Sequence, residues 1–363
     1  MFISPIKRYC VLFFAFFTWS CIKKITAPIR NAAPLLVVEG AITTQPNPYI
    51  IKLSYSGDFT TSRIDTSQSF INDAIVVIQD SDGDSTLCEL ASPGTYQSSD
   101  TNFIGKIGHT YMLKIHLSDG KTYVSKPEII FQVPPIDSIS IIYDSSTISG
   151  VRPNQFITSA NSHDPVNSEN FYRWTASAYV PRKSWGEPCV PFNDPPCTDP
   201  YMCTCYALCE QYIQDNRINV LSDKLVSGRE IVQPVFFSPV YWFGKHFVDI
   251  KQYSLSKSAY YFWQQYLAQT ERTGSILDPL PAPLLGNIFN AADSNDIALG
   301  LFSASDVFEK KIIIIPYSFQ QYWLESTAGQ YIEQGDCHSA YPNSLPDNSE
   351  PLGWDDADII GFH

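Results

Sequence analysis

Only one segment of this chain has the apolar spacing of a long α-helix, and the remainder alternates short apolar runs with turn residues. The segment is 256–271, and its apolar face recurs at helical spacing: Ala259, Trp263, Tyr266, Leu267 and Thr270. Ser256 can cap the first turn, because its hydroxyl can accept a hydrogen bond from an unpaired backbone amide. Leu255 and Tyr260 have the spacing of a hydrophobic staple, and Gly274 can adopt the left-handed conformation that follows many helices. We therefore predict an all-β protein with one long helix, whose apolar face packs on a sheet.

Residues 34–133 have the pattern of short antiparallel strands. Apolar runs occur at Leu36–Ile42, Ile50–Ser54, Ala74–Gln79, Ser85–Leu90 and Tyr111–Leu117. Asp82-Gly83 and Asp119-Gly120 lie between such runs, and both residue types tolerate the positive φ that a tight hairpin needs. This spacing predicts an immunoglobulin-like or transthyretin-like β-sandwich.

A second, larger β-rich domain is predicted for residues 134–330. Val133–Ile136 marks the boundary, because its two prolines cannot continue a strand ladder. Further strands are expected at Ile139–Tyr143, Phe171–Tyr179, Val248–Tyr253, Ala298–Ser303 and Glu309–Ile315. The helix belongs to this domain. Residues 331–363 are polar and rich in Gly, Pro and Asp, so we predict a C-terminal tail that Pro351 and Trp354 dock.

The first 20 residues have the features of an export signal. Lys7 and Arg8 precede a short apolar run, Val11–Phe17. A membrane-spanning helix needs ~20 apolar residues, so this run predicts a cleaved signal and not a permanent transmembrane anchor.

The signal ends in a sequence that resembles a lipobox. Thr18–Cys21 places the small residue Ser20 before Cys21, whose thiol can receive a diacylglycerol. Acylation of Cys21 with a further amide-linked chain would pass the two-anchor threshold for stable membrane attachment. The alternative is an ordinary secretory signal that contains a cysteine by chance. Residues 21–33 have no apolar period, so we predict a tether between the anchor and the first strand.

Several ungapped motifs resemble one known family. They occur in this order along the chain: LLVVEGAI, VLSDKLVSG, QYSLSKSAYYFWQQ, TGSILDPLP, LLGNI and LGLFSAS. The run closely resembles the family described as domain of unknown function 4249, whose members are envelope lipoproteins of the Bacteroidetes. The resemblance implies an all-β lipoprotein at the outer membrane that acts beside a TonB-dependent receptor. It carries over no catalytic residue.

The sequence does not decide which face of the outer membrane the protein occupies. Surface-exported lipoproteins of these bacteria tend to carry acidic residues directly after the lipidated cysteine. Here the segment Ile22–Ile25 is basic, through Lys23 and Lys24. The protein can therefore face either the medium or the periplasm.

Five cysteines fall within the proline-rich segment 189–209: Cys189, Cys197, Cys203, Cys205 and Cys209. Thiols are oxidised outside the cytoplasm, so these residues are disulfide candidates that would stabilise a long loop. Seven cysteines follow Cys21, including the isolated Cys88 and Cys337, so at least one has no partner within the chain. Zinc bound by the last three thiolates of the segment and His338 is the alternative, but the two-residue gaps typical of zinc ligands are missing. We predict disulfides, no metal and no cofactor.

The remaining motifs favour structural roles. The Asp80-x-Asp82-x-Asp84 motif lacks the glycine and the glutamate of a calcium-binding loop, so it predicts a hairpin turn. His116 falls on the polar face of its strand. A solvated acidic patch is expected in the tail at Asp355, Asp356 and Asp358. We expect Asn287, in the motif LLGNI, to bond the backbone of a turn, with contact to a ligand as the alternative.

Composition narrows the classes of function. With 24 basic and 37 acidic residues, the chain does not favour nucleic acid, which rewards clustered Lys and Arg. Its 21 Tyr, 22 Phe and 7 Trp suit packed strands, or the binding of sugars or peptides if they line a cleft. We expect a non-catalytic binding or accessory lipoprotein of the outer membrane, beside a TonB-dependent transporter in nutrient uptake, with its ligand unknown. A structural or adhesion module is the second hypothesis, and an enzyme that uses the cysteine cluster is the third.

Overall fold

The computed structural model describes residues 34–46, 48–56, 69–144, 155–166, 168–185, 206–239, 245–271, 283–293, 295–315, 333–334, 341, 343–345 and 350–361. Within these residues the fold is all-β, as predicted, with nineteen strands and one α-helix. The signal at 1–20, the lipidation candidate Cys21, the tether at 21–33 and Gly274 lie outside the described residues.

The first eight strands are β1 (Leu36–Thr43), β2 (Ile50–Tyr55), β3 (Ile75–Asp80), β4 (Ser85–Ser92), β5 (Thr95–Ser98), β6 (Thr110–His116), β7 (Thr122–Ser125) and β8 (Glu128–Ile129). The elements that follow are β9 (Ser138–Asp144), β10 (Gln155–His163), β11 (Phe171–Trp185), β12 (Tyr206–Ser222), β13 (Glu230–Pro239), β14 (His246–Leu255), α1 (Lys257–Thr270), β15 (Leu285–Asn290), β16 (Ile297–Ser305), β17 (Val307–Ile315), β18 (Glu333–Gln334) and β19 (Asp358–Gly361). Each run predicted as a strand is a strand in the structure.

The sandwich predicted for residues 34–133 is not confirmed, because nine strands close into a barrel. The order around the barrel is β3-β4-β5-β2-β1-β16-β15-β7-β6, and β3 pairs with β6 to complete the ring. β15 and β16 come from the segment that the sequence placed in the second domain. β16 runs parallel to β1, with Val37 opposite Leu299, and β15 pairs with β7. The distant strands therefore join edges that a sandwich built from the N-terminal segment alone would leave unpaired. A single apolar cluster fills the interior: Val38, Ile51, Leu53, Ile78, Leu113, Ile115 and Phe302.

The barrel has an irregular point where the register between β15 and β16 shifts. Asn287 lies there, buried, and its amide bonds the backbone of β16. Its Oδ1 accepts from Phe302 N at 3.0 Å, and its Nδ2 donates to Phe302 O at 2.7 Å. Asn287 thus bonds backbone, as predicted, but that of a neighbouring strand instead of a turn. Gly300 has φ +92°, and a Cβ there would lie 1.9 Å from Val38 O, so the close approach of β1 and β16 requires glycine.

Two further sheets pack face to face. One has the order β13-β10-β9, and the other has the order β12-β11-β14-β17-β19, with β18 paired to β11. They share a second core: Ala160, Trp174, Val235, Phe236, Val248, Ile250 and Ile312. Trp174 Nε1 donates to Gln252 Oε1 at 2.8 Å, and Gln252 Nε2 donates to Pro134 O at 2.9 Å. The proline segment predicted as a boundary is therefore held against this core.

The helix α1 lies where the barrel meets the six-stranded sheet. Ser256 is its N-cap, as predicted, and the hydroxyl accepts from Ala259 N at 3.1 Å. Ala259 is buried in a small cluster with Phe171, Leu255 and Leu301. Of the rest of the predicted apolar face, Trp263 and Leu267 are partly buried, whereas Tyr266 and Thr270 are exposed. Packing of this face is thus confirmed at Ala259 and Trp263, which join the cluster, and is not confirmed at Tyr266 and Thr270. No helix in the described part of the chain is long and apolar enough to cross a membrane.

A buried carboxylate joins α1 to the barrel. Glu128 accepts hydrogen bonds from Ser256 Oγ, from Ser258 Oγ at 2.8 Å and from Asn287 Nδ2 at 2.9 Å. This places a carboxylate at the N-terminus of the helix, where the helix dipole favours negative charge.

A second carboxylate ties the barrel to the six-stranded sheet. Asp306, between β16 and β17, accepts at Oδ1 from Thr44 Oγ1 at 2.6 Å and from Val307 N at 3.0 Å. Its Oδ2 accepts from Val133 N at 2.9 Å. We call Glu128, Asp306 and their donors the junction.

Candidate ligand-binding cleft

The outer face of the six-stranded sheet carries polar and aromatic side chains in a regular cross-strand array. Successive residues of a strand point to opposite faces, and the inward residues fill the second core. The outward residues pair across β11, β14 and β17 in four rows: Arg173–Tyr253–Val307, Thr175–Lys251–Glu309, Ser177–Asp249–Lys311 and Tyr179–Phe247–Ile313. The array therefore has an arginine at one end, charged groups in the middle and aromatic rings at the other end.

A cavity of about 440 Å³ opens over this array, and we call it the cleft. Its lining comes from β11, β12, β14, β17 and the tail residue Leu352. Cavities that bind small molecules usually measure ~300 to ~1,000 Å³, so the volume suits a small ligand.

Two lysines and two carboxylates, the charged quartet, form a connected row at the centre of the cleft. Lys251 Nζ lies 3.2 Å from Glu309 Oε1 and 3.8 Å from Asp249 Oδ2. Lys311 Nζ lies 3.8 Å from Glu309 Oε2. The opposite charges balance, so the centre of the cleft offers hydrogen-bond donors and acceptors without a strong field of one sign.

Asp249 is the least satisfied member of the quartet. Its Oδ1 is buried and has no hydrogen-bond partner among the described residues. Burial, with the neighbouring Glu309 carboxylate, outweighs the opposing effect of Lys251 and raises the pKa of Asp249 to about 6. Burial works against the charge of Lys251, but the two carboxylates raise the pKa of Lys251 above its ordinary value. A buried polar atom without a partner is costly, so Asp249 Oδ1 marks a point where a ligand can make contact.

Aromatic rings close one end of the cleft. Tyr179 packs on Tyr212 with 5.3 Å between the ring centroids, and on Phe247 with 6.4 Å. Trp354 of the tail stacks on Phe247 at 6.0 Å, with 18° between the ring planes. The partly exposed rings of Tyr179 and Tyr212 combine a rigid face with a polar hydroxyl group, which suits contact with a flat ligand group.

The C-terminal tail crosses the six-stranded sheet near this end. Ser344 pairs with Gln211 at the β12 edge, and β19 pairs in parallel with β17 at the other edge. Pro351 is buried and Trp354 is stacked, so both residues predicted to dock the tail make contacts. Leu352, at the cleft, is 92 % exposed. In the predicted acidic patch Asp355 and Asp356 are exposed, and Asp358 pairs with Lys310 at 3.0 Å.

The structure places only some of the cysteines. Cys88 is buried and free, and burial raises the pKa of its thiol to about 12, which makes the thiolate scarce. Cys209 lies in β12 opposite Arg182 of β11, so its backbone is in a strand ladder and not in the predicted loop. The other disulfide candidates lie outside the described residues: Cys189, Cys197, Cys203 and Cys205. Cys337 and His338 lie outside them too.

The three-aspartate motif forms the hairpin turn that the sequence predicts. Asp80 Oδ1 accepts from the backbone amides of Asp82 and Asp84, each at 2.9 Å. His109 Nδ1 lies 3.4 Å from Asp82 Oδ2, which brings three possible cation ligands together. The Asp80 carboxylate is already committed to the turn, so a structural role accounts for the motif. His116 is exposed, as expected for the polar face of its strand.

Sequence reasoning did not single out the residues that build the cleft. A partial signal for them exists, because polar residues alternate with apolar ones in Arg173–Tyr179 and in Asp249–Lys251. Glu309–Lys311 is charged at all three positions and shows no such alternation. A strand that is polar on one face of an internal sheet leaves that face open to solvent or to a ligand.

Comparison with models of protein families identifies the family of this chain. The family model described as Domain of unknown function (DUF4249) matches residues 22–311. The chain belongs to this family. The DUF4249 range ends at Lys311, so it holds the barrel, all four members of the charged quartet and the second core except for its last residues, such as Ile312. The tail strands β18 and β19 lie beyond it. No curated protein matches the chain.

Proposed function

We propose that this protein is a non-catalytic binding lipoprotein that holds a small polar ligand in the cleft. It is attached to the outer membrane through acylated Cys21 and works beside a TonB-dependent transporter in nutrient uptake. The cleft is the observation that carries the proposal: a cavity of about 440 Å³ with the charged quartet at its centre and aromatic rings at one end. The lipobox-like sequence and the family membership support the envelope setting.

Binding follows from the chemistry of the lining. Ligand sites combine apolar and aromatic walls with a few placed polar groups that fix orientation. The tyrosines and Phe247 provide the walls, and the quartet provides donors on Lys251 and Lys311 beside an unpaired acceptor on Asp249. Such a lining favours a ligand with several hydrogen-bonding groups and at least one flat face.

A thermal-shift panel of oligosaccharides, free amino acids and dipeptides tests the cleft. A compound that binds the folded protein raises the unfolding temperature in a concentration-dependent way. In the double variant Lys251→Ala/Glu309→Ala, we expect the affinity for such a compound to fall about 10-fold or more. The matched control is Lys121→Ala/Asp296→Ala, which removes a 2.8 Å ion pair from the barrel and leaves the cleft intact. Equal affinities in the two double variants would contradict the cleft as the binding site.

Fractionation of the producing cells tests the anchor and the partner. We expect the wild type in the outer-membrane fraction and Cys21→Ala outside it. Affinity purification from detergent-solubilised membranes should recover an outer-membrane receptor with the wild type. Repeated recovery without any such receptor would contradict the transporter partnership and would favour an adhesion or structural role.

A further inference from the structure

Arg173 lies just beyond the residues that line the cleft, at the end opposite to Tyr179 and Phe247. It lies opposite Tyr253 in the β11–β14 ladder, and Tyr253 lines the cleft. Arg173 and Thr175 are two residues apart on β11, so they share a face at a separation of about 7 Å. Thr175 also lines the cleft. The guanidinium is therefore the next group along the array after the charged quartet.

Two aromatic rings hold the Arg173 side chain. Its guanidinium carbon lies 3.9 Å from the centroid of the Trp263 ring and 5.9 Å from that of Tyr253. Stacking on a ring occupies the flat face of a guanidinium and leaves its N–H edge available for hydrogen bonds. Trp263 comes from α1, so the helix positions a cation beside the cleft.

The Arg173 cation has no counter-ion in the described part of the chain. Its Nε is buried without a hydrogen-bond partner. Glu39 is the carboxylate whose charge acts on it, but the Glu39 side chain is 73 % exposed and pairs with Lys52 at 3.7 Å. Burial lowers the pKa of Arg173, which shows the cost of enclosing the charge. Arg173 is partly buried, and a cation that is withdrawn from water is tolerated best when an anion completes its surroundings.

Arg217 shows what a completed site of this kind looks like in the same chain. Its guanidinium also stacks on a ring, with the carbon 3.5 Å from the Phe237 centroid. Its N–H edge is occupied, however, because Nε donates to Asp215 Oδ1 at 2.8 Å and Nη2 donates to Oδ2. Arg173 has the stacking without the carboxylate.

We infer that Arg173 forms an anion subsite at this end of the cleft, which binds a carboxylate or phosphate group of the ligand through the guanidinium fork. The inference rests on the proposed function, because it describes one end of the ligand that the cleft holds. The fork geometry of arginine matches both oxyanions with two parallel hydrogen bonds. Arg173 and Tyr179 are six residues apart on β11, which is a distance of about 20 Å, so an acidic compound that also reaches the aromatic rings is elongated.

NMR of the arginine side chains tests the subsite with simple probes. The ¹H–¹⁵N signals of the Arg173 and Arg217 Nε–H groups are assigned with Arg173→Lys and Arg217→Lys. Methyl phosphate and acetate are then titrated separately at constant ionic strength, with chloride as the balancing anion. We expect a saturating shift at Arg173 and none at Arg217, and the probe that saturates at lower concentration identifies the preferred oxyanion. Arg173→Lys keeps the charge but not the fork. In this variant we expect the affinity for an acidic compound of the thermal-shift panel to fall about 10-fold.

The possible failures point to different conclusions. An Arg173 signal that stays fixed, or that drifts linearly as the Arg217 signal does, would overturn the subsite. If a panel compound still binds the cleft in that case, the proposed function stands without the subsite. If the shift of the Arg173 signal saturates but no panel compound binds in the cleft, the result would support the subsite. It would contradict the proposal that the rest of the cleft binds a ligand. A thermal melt of Arg173→Lys near that of the wild type shows that lost affinity is not lost folding.

Discussion

The junction and the cleft treat buried carboxylates and their neighbours in opposite ways. At the junction both carboxylate oxygens of Glu128 and of Asp306 accept hydrogen bonds. Asp249 Oδ1 in the cleft and Arg173 Nε beside it are buried without hydrogen-bond partners among the residues that the structure describes. The two regions are adjacent in the chain, because Asp306 connects β16 of the barrel to β17 of the six-stranded sheet.

This difference separates groups that stabilise the fold from groups that await a partner. Buried polar atoms in native proteins are almost always hydrogen-bonded, and the exceptions concentrate where a ligand or a reaction completes them. A satisfied network also fixes a single arrangement of the elements around it. The junction therefore sets the position of the six-stranded sheet against the barrel, and the cleft uses that fixed position to present its charges.

The largest effect is expected where the barrel is tightest. Gly300→Ala would place a Cβ 1.9 Å from Val38 O at φ +92°, so we expect a loss of about 3–5 kcal/mol in the free energy of unfolding. Gly120→Ala is the matched control, because its φ is +89° but nothing lies within 4 Å of the new Cβ. It should lose about 1–2 kcal/mol from backbone strain alone. Urea unfolding measures both, and equal losses would mean that close packing is not what closes the barrel.

The next effect tests whether the junction is a satisfied network. Glu128→Ala leaves the donors of Ser256, Ser258 and Asn287 without their shared acceptor, so we expect a loss of about 3 kcal/mol. Glu169→Ala removes an exposed glutamate that pairs with Lys257 at 3.0 Å, and it should cost less than about 0.5 kcal/mol. A loss below about 1 kcal/mol for Glu128→Ala would mean that the junction contributes no more to stability than an exposed ion pair does.

How far the sequence predicts each region follows from the range of the contacts involved. The strands and the Ser256 cap could be predicted, because alternation and capping are local properties of the chain. The barrel could not be predicted, because it depends on the pairing of Val37 with Leu299, two residues separated by more than half the chain. The cleft needed the register of three strands, which no local pattern supplies. Asn287 could be selected as a polar residue with backbone partners, but the shift in β15 that it bridges exists only once β16 is in place.

A smaller effect, a gain and not a loss in the free energy of unfolding, tests the cleft. The pKa of Asp249 is raised to about 6 in the folded protein from an ordinary 3.8, so the folded state holds this proton more tightly. That contribution to stability is complete below about pH 4 and is lost as the pH rises through 6. Asp249→Asn cannot ionise, so we expect it to exceed the wild type by about 1–2 kcal/mol at pH 8, after allowance for solvent screening, and to match it near pH 4. Urea unfolding at both pH values checks this, with the exposed Asp355→Asn as control; a gain independent of pH would show that the charge is not the cause.

The smallest effect concerns the tail, which docks at the aromatic end of the cleft. Trp354→Ala removes the ring stacked on Phe247, worth about 1 kcal/mol beyond the area it buries, while β17 keeps its ladder with β14. We therefore expect global unfolding in urea to change little and the amides of β19 to exchange with solvent faster, because the tail opens locally before the sheet does. Leu352→Ala is the matched control, since this side chain is 92 % exposed and should leave exchange in β19 unchanged. If Trp354→Ala lowered global stability as far as Glu128→Ala does, the tail would belong with the junction as part of the fold. If exchange becomes faster only in β19, the tail is a segment beside the cleft that opens independently of the rest of the fold. The tail then belongs with the cleft and not with the hydrogen-bonded junction.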